Sequence, residues 1–311
     1  MTRIAVRYIL ATMRNRASLS IAPLAICLAM PAYAQADPEP DSSNAITVEG
    51  KRQTIDRQVK EMAKSIGERP RAGKPLAKFY GELCMAVYGL RRDVALDFID
   101  RVNANAQQLG IKVGGKGCTV NSFVGFARDS RSALGELKRS HSWLFDQLYR
   151  YEQKRIGLGS GAVQAWHITE EVGENGRAMG VGRDDAMREF KVNTGYRATR
   201  QGQAIRIELS GSIVLIDNRV VPGKTVQQLA DYASMRIFAS IRDLDEAPAG
   251  SVDTILSLFA DDAPPPGLTT FDRAYLNGLY RLPESAQSGA IGDATRAAFW
   301  RERDQPQADG Q

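Results

Sequence analysis

The chain has 311 residues, of which 43% are hydrophobic and 25% are charged, an ordinary composition for a globular protein. The formal net charge is +5 at pH 7, but residues 1–34 contain four arginines and no acidic residue. The chain that follows them therefore has a net charge of about +1. Such a balance excludes nucleic-acid binding by overall basicity.

Residues 1–34 have the pattern of a cleavable bacterial signal peptide. The arginines come first, an apolar stretch spans Ile21–Met30, and the small residues Ala32 and Ala34 mark a peptidase site. The apolar stretch is too short for a membrane span, which takes about 20 residues. We therefore expect cleavage near Ala34 and a periplasmic or secreted protein whose mature chain has no stable membrane span.

Cleavage would also change the cysteine count from three to two. Cys27 lies within the signal peptide, and the large Ile26 before it disfavours a lipidation site. The remaining pair, Cys84 and Cys118, predicts one disulfide in an oxidising compartment, and two buried free thiols are the alternative. In the chain-entropy model the bridge would close a loop of roughly 35 residues and stabilise the fold by about 4 kcal/mol.

The first part of the mature chain is predicted to combine helices with strands. Residues 35–52 are polar and contain proline, which indicates a disordered leader. An α/β part that includes the disulfide follows over 53–156. Its apolar spacing predicts a helix over 53–66, an apolar segment at 83–88, a helix between Val94 and Ala106, a strand within 118–127, and helices over 131–139 and 143–151.

Glycines at 157, 159 and 161 indicate a flexible hinge, after which a strand-rich block and C-terminal helices span 157–303. The pattern predicts strands at 163–168, 190–192, 205–209 and 213–216, and helices over 224–242, 251–259, 270–281 and 292–303. Residues 304–311 are a disordered tail. This order predicts an α+β fold, a mixed sheet with flanking helices and a helical C-terminal part. One domain and two domains both stay open.

The sequence contains no intact catalytic or cofactor motif. It has two histidines, His141 and His167, and no His-Glu-x-x-His stretch, which argues against a histidine-based metal site. Gly110–Gly117 resembles a P-loop only superficially, because Gly117 stands where the magnesium-binding Ser or Thr belongs. Ser160 lacks the Gly-x-Ser-x-Gly spacing of a hydrolase nucleophile. We therefore predict no metal ligand, no cofactor site and no catalytic residue.

Two acidic pairs are the remaining source of hydrolytic chemistry. They are Asp184–Asp185 and Asp261–Asp262. Paired carboxylates can hydrolyse glycosides when they face each other across a cleft. Neighbours in the sequence usually diverge, so helix caps and solvated loops explain these pairs better.

Several segments carry a resemblance that covers most of residues 46–281. They are Ile46–Arg52, Cys84 with Gly89 and Leu90, Gly117–Cys118 with Asn121, Gln228–Met235, Asp253–Phe259 and Leu268–Tyr280. In these segments the chain resembles a group of uncharacterised exported proteins of Gram-negative bacteria that share a domain of unknown function. The resemblance implies export and the shared cysteine pair, and it implies no activity.

The order of the elements in the second part is similar to that of zincin-like secreted proteins. In those proteins a strand-rich layer precedes an active-site helix, and a Leu-Thr-x-x-Asp-type helix such as Leu268–Tyr280 follows it. The similarity implies that 224–242 occupies the place of the active-site helix. There Ala230, Asp231, Tyr232 and Ala233 stand where a zinc protease needs two histidines and a glutamate. It therefore implies a metal-free relative that is not a peptidase.

A shorter similarity concerns the C-terminal segment Ser288–Phe299, which resembles the second half of peptidoglycan-binding repeats. An amphipathic terminal helix is the alternative interpretation.

Three function classes follow from these patterns. The first is a non-enzymatic periplasmic protein that binds or scaffolds an unknown envelope component. The second is a hydrolase, or a degenerate metallopeptidase-like protein without metal. The third is a peptidoglycan-associated protein that contacts the cell wall through residues 270–303.

Overall fold

The computed structural model describes residues 42–68, 73–146, 148, 153–154, 156, 162–173, 175–183, 189–192, 205–242 and 252–304, without the side chains of 42–49, 180–183 and 189–192. The predictions for the signal peptide at 1–34 and the hinge at 157–161 lie outside these residues. So do those for Asp184–Asp185 and for the tail beyond Asp304.

Helices and one mixed sheet make up most of the described chain. The α-helices are α1 Ser42–Ile66, α2 Arg92–Gln108, α3 Ser130–Ser140, α4 Val226–Phe238, α5 Thr270–Arg281 and α6 Ile291–Asp304. The strands are β1 Ala77–Lys78, β2 Met85–Tyr88, β3 Ser122–Ala127, β4 Val163–Gly173, β5 Gly180–Arg183, β6 Glu189–Val192 and β7 Ile205–Asp217. The predicted α+β class, with a mixed sheet, flanking helices and a helical C-terminal part, is confirmed.

The long strand β7 organises the five-stranded sheet. Along one edge it pairs in parallel with β3 and, nearer its start, with β1; along the other edge it pairs antiparallel with β4. Strand β2 adds in parallel to β3, whereas β5 and β6 pair only with each other. Because β2 and β3 precede the predicted hinge and β4 and β7 follow it, both parts of the chain share one sheet.

Two predicted strands, 205–209 and 213–216, are one strand in the structure. The pairing with β4 shifts register between Ile168 and Thr169, so that Ser210 is an extra residue in β7. The bulge changes the side-chain alternation, and Leu209 and Val214 both face the main core although they are five residues apart. The apolar pattern therefore breaks at the bulge while the strand continues.

Helix α1 begins earlier than the sequence pattern indicated. Residues 42–52, assigned to a disordered leader, form its first turns. The helix is anchored further on, where four apolar side chains of one face are buried, namely Val59, Met62, Ala63 and Ile66. Once this part is packed, the helix can extend towards its N-terminus without a new nucleation step, because each added residue forms one backbone hydrogen bond.

Two predicted helices are shorter than expected. Only a 3₁₀ turn, Ser142–Phe145, occurs within the described part of 143–151, and another, Ile255–Ser257, lies within 251–259. In the second case, side-chain oxygens of Asp272 and Thr254 accept hydrogen bonds from the backbone N–H groups of Ile255 and Leu256. These side chains satisfy the backbone donors at the start of the turn, as a helix cap does.

The main hydrophobic core lies between one face of the sheet and helices α1, α2, α4 and α5. A smaller cluster lies on the opposite face, where Leu134 of α3 and Phe145 pack with Trp166, Ile213 and Leu215. Helix α6 packs against α5 and α1 at the edge of the main core. Its approach to α5 is close, because a Cβ atom on Gly278 would lie 2.9 Å from the backbone of α6.

Candidate functional site

The predicted cysteine pair joins the beginning of β2 to the loop that precedes β3. The sulfur atoms of Cys84 and Cys118 lie at disulfide-bonding distance, and their Cα atoms are 6.0 Å apart. The glycine-rich turn before Cys118 docks on Leu83, whose N–H donates to the carbonyl of Lys112 and whose carbonyl accepts from the N–H of Gly114. This turn follows a helix and supports the disulfide, unlike a phosphate-binding loop.

Asn121 completes the same corner. Its side-chain oxygen accepts a hydrogen bond from the N–H of Cys84 at 2.9 Å, and its Nδ2 donates to the carbonyl of Glu82 at 2.8 Å. The side chain thus takes the place of a neighbouring strand just before β2 begins.

Asp231 is a fully buried carboxylate on α4, the helix that the zincin similarity placed at the active site. The guanidinium of Arg101 donates to both carboxylate oxygens, at 2.7 and 2.9 Å. Asn105 Nδ2 and the N–H of Leu268 add two further hydrogen bonds, at 2.7 and 2.9 Å. Four donors engage the carboxylate, so Asp231 joins α2, α4 and the loop before α5. Its oxygens are occupied by these donors and are not positioned to contact a substrate.

Asp272 is a second fully buried carboxylate, in the first turn of α5. It accepts hydrogen bonds from the hydroxyl groups of Thr254 and Thr269 and from the N–H groups of Ile255 and Thr269. Burial nevertheless raises its pKa to about 6 from an ordinary value of 3.8. The contacts are those of a capping box extended to the preceding loop.

A third polar cluster closes the β1 side of the sheet. The guanidinium of Arg206 lies 4.1 Å from the ring centroid of Tyr80 and pairs with Glu208 and Glu284. Lys78 Nζ donates to the carbonyl of Leu282 at 2.5 Å, and its pKa is lowered by burial. These contacts fix the segment after α5 on β1 and β7.

The two histidines have different local contacts. His141 Nδ1 lies 2.8 Å from the hydroxyl of the preceding Ser140 at the end of α3. His167 Nε2 lies 3.3 Å from the carbonyl of Ile237. Asp261 accepts from the N–H of Ala263, which is the solvated-loop role expected for the Asp261–Asp262 pair.

A polar groove runs along α1 beside α6. Its volume is about 410 Å³, and its lining residues are Gln53, Asp56, Arg57, Lys60, Glu61, Lys64 and Arg296. The α1 members recur every three or four residues and therefore lie on one helix face. Arg296 is the contribution of α6.

The wall formed by α6 depends on a glycine. A Cβ atom on Gly292 would lie 2.9 Å from Lys64 Cε and 3.2 Å from the carbonyl oxygen of Lys60, so a larger residue would displace the Lys64 side chain and crowd the α1 backbone. Polar contacts then join the two helices. Trp300 Nε1 donates to Asp56 at 2.6 Å, and Lys60 pairs with Asp293 at 2.7 Å.

The charges lining this groove fall into two groups. Asp56 is engaged by Trp300 and by Arg296 at 3.4 Å, and Lys60 is engaged by Asp293. Arg57, Lys64 and Glu61 are exposed and make no ion pair with the described part of the chain, although Lys64, after Lys60 and Arg296, also helps to lower the pKa of the Asp293 carboxyl. Two cations and one carboxylate thus remain available on the surface of the groove.

The sequence pattern indicates only one wall of this groove. A helix over 53–66 was predicted, and Arg57, Lys60 and Lys64 follow its period, so one wall could have been identified. The other wall could not, because Arg296 is 240 residues from its partner Asp56.

Searches for a metal site, a membrane span and related proteins assign no function to the chain. In the described ranges, no three His, Cys, Asp or Glu side chains come together as a metal site. No described helix combines the length and apolar character that crossing a bilayer takes. No protein-family model matches the chain, and neither the curated proteins nor the solved structures include a match.

Proposed function

We propose that the chain is an exported protein that binds a component of the bacterial envelope without catalysing a reaction, and that the α1–α6 groove is its binding surface. The signal-peptide pattern at 1–34 supports the compartment. The groove supports the binding role, since it offers charged side chains that the described chain leaves without ion-pair partners.

The position of these charges is the observation that carries the proposal. The chain after residue 34 is nearly neutral, yet Arg57 and Lys64 lie together in a concave surface. Four cations and two carboxylates line the groove, and a surface with an excess of one sign of charge concentrates ligands of the opposite sign. The clusters around Asp231, Asp272 and Arg206 are engaged in holding the fold, which leaves the groove as the best-supported binding surface.

Peptidoglycan is the envelope component that we propose as partner. Segment Ser288–Phe299, which resembles part of peptidoglycan-binding repeats, contributes Arg296 to the lining of the groove, and its Gly292 and Asp293 lie against Lys64 and Lys60 of α1. Peptidoglycan carries carboxylates on its peptides, and guanidinium and ammonium groups bind carboxylates.

Retention on purified peptidoglycan tests this function. Mature protein would be sedimented with insoluble peptidoglycan beside the double variants Arg57→Glu/Lys64→Glu and Lys112→Glu/Lys116→Glu. Both variants reverse two exposed cations, and the second pair lies on the turn near the disulfide. Wild type and the turn variant should be retained while the groove variant stays in solution. Absence of wild-type retention, or equal loss in both variants, rejects the proposal.

A further inference from the structure

We infer that the α1–α6 groove accepts a short zwitterionic peptide, with two carboxylates meeting Arg57 and Lys64 and an ammonium group meeting Glu61. This inference rests on the proposed function and names the part of the polymer that the groove recognises.

The pattern of unengaged charges leads to this ligand. Four cations and two carboxylates line the groove, but Asp56, Lys60 and Arg296 are engaged within the α1–α6 contact. The charged side chains of the groove that make no ion pair within the described chain are the cation of Arg57, the carboxylate of Glu61 and the cation of Lys64. A complementary ligand therefore carries the reverse order, with two negative groups on either side of a positive one.

Helix geometry fixes the spacing of these charges. Arg57 and Lys64 are seven residues apart, which places them about 10 Å apart along the axis on the same face. Glu61 lies between them, at i+4 from Arg57 and three residues before Lys64. Two carboxylates at this distance, with an amine between them, are within the reach of a peptide of about three residues, since an extended chain spans about 3.3–3.6 Å per residue.

The same pattern argues against an anionic membrane surface or a polyphosphate. Glu61 would face a phosphate layer and repel it, and like charges brought together oppose such partners. The groove is open to solvent along α1 and has a volume of about 410 Å³, so a short flexible chain can lie along it. Peptidoglycan stem peptides supply the reverse pattern, because their acidic and diamino acid residues carry carboxylates and a free amine on one short chain.

The experiment measures binding of a soluble stem tripeptide, N-acetyl-alanyl-glutamyl-diaminopimelate, to the mature protein by titration calorimetry; its alanyl amine is blocked, as it is in the polymer. Two modified peptides serve as probes, one with amidated carboxylates and one with an acetylated diaminopimelate amine. Amidation should weaken binding at least as much as Arg57→Gln does, about fivefold for each lost exposed ion pair. Glu61→Gln should weaken binding of the unmodified peptide by a similar factor and leave the peptide with the acetylated diaminopimelate amine unaffected.

This coupling between Glu61 and the amine is a readout that general destabilisation would not produce. Equal effects of Glu61→Gln on both peptides overturn the inference. So does saturable binding to phosphatidylglycerol vesicles in place of the peptide. Retention on intact peptidoglycan without tripeptide binding rejects this inference and leaves the proposed function standing, whereas loss of retention rejects both.

Discussion

Buried carboxylates hold together segments that are far apart in the sequence. Asp231 connects α4 to Arg101 of α2 and to Leu268, and Asp272 connects α5 to Thr254. Both lie in segments on which the expected resemblance to a group of exported proteins is based, as do Asn121 and the cysteine pair. Those segments contain residues that stabilise the backbone, whereas the residues that line the groove lie outside them.

Replacing Asp231 by Ala should lower the free energy of unfolding by about 2–4 kcal/mol, because the buried donors of Asn105 and Leu268 lose their acceptor and Arg101 loses its ion-pair partner. Urea denaturation measures the change. Arg91→Ala is the control, since Arg91 is 79% exposed and pairs with Asp93, which is 63% exposed. That change should cost at most about 1 kcal/mol. Equal effects of the two substitutions would contradict a structural role for Asp231.

Asp272 should make the stability depend on pH in an unusual direction. Its folded pKa of about 6 is above the ordinary value of 3.8, so the unfolded chain ionises first as the pH rises. The free energy of unfolding should therefore fall between pH 4 and pH 6, by about 3 kcal/mol in all, and this contribution should be constant above pH 6.

Urea denaturation of wild type and Asp272→Asn at several pH values measures this slope. The difference between the two proteins should change over that interval, whatever the absolute cost of the substitution. A difference independent of pH would show that Asp272 titrates alike in the folded and unfolded states.

At the scale of whole elements, periodicity predicted most helices but not their exact lengths. The spacing of Phe98, Val102 and Ala106 predicted α2, because these side chains face the core. The bulge at Ser210 breaks the apolar alternation, so the pattern indicated two strands where there is one. The early start of α1 was missed because residues 42–52 are mostly polar. Where Asp272 caps the turn at Ile255, a partner distant in sequence decided the local structure.

The disulfide connects two elements, because it joins the residue before β2 to the loop before β3. Thiol titration of denatured, unreduced mature protein should find no free thiol. The double variant Cys84→Ser/Cys118→Ser should unfold at lower urea concentration, with a loss of about 4 kcal/mol in the chain-entropy model. Two titratable thiols in the wild type would refute the bridge.

For the whole molecule, the fold class could be predicted from the sequence and the candidate site only in part. The cations at Arg57 and Lys64 can be read from the helix pattern, but their use as a groove wall depends on the docking of α6. That docking rests on Gly292, whose closeness to Lys64 cannot be inferred from local spacing. The predicted compartment and partner rest on the signal-peptide pattern and the groove together.

Photo-crosslinking in living cells tests the central claim, envelope binding through the α1–α6 groove, most directly. A photoreactive amino acid would replace Gln53 in the groove or, as the control, the exposed Lys116 on the disulfide turn. We predict a high-mass adduct from position 53 that muramidase digestion releases, and no such adduct from position 116. An exported protein that yields no adduct at position 53, or equal adducts at both positions, would contradict the account.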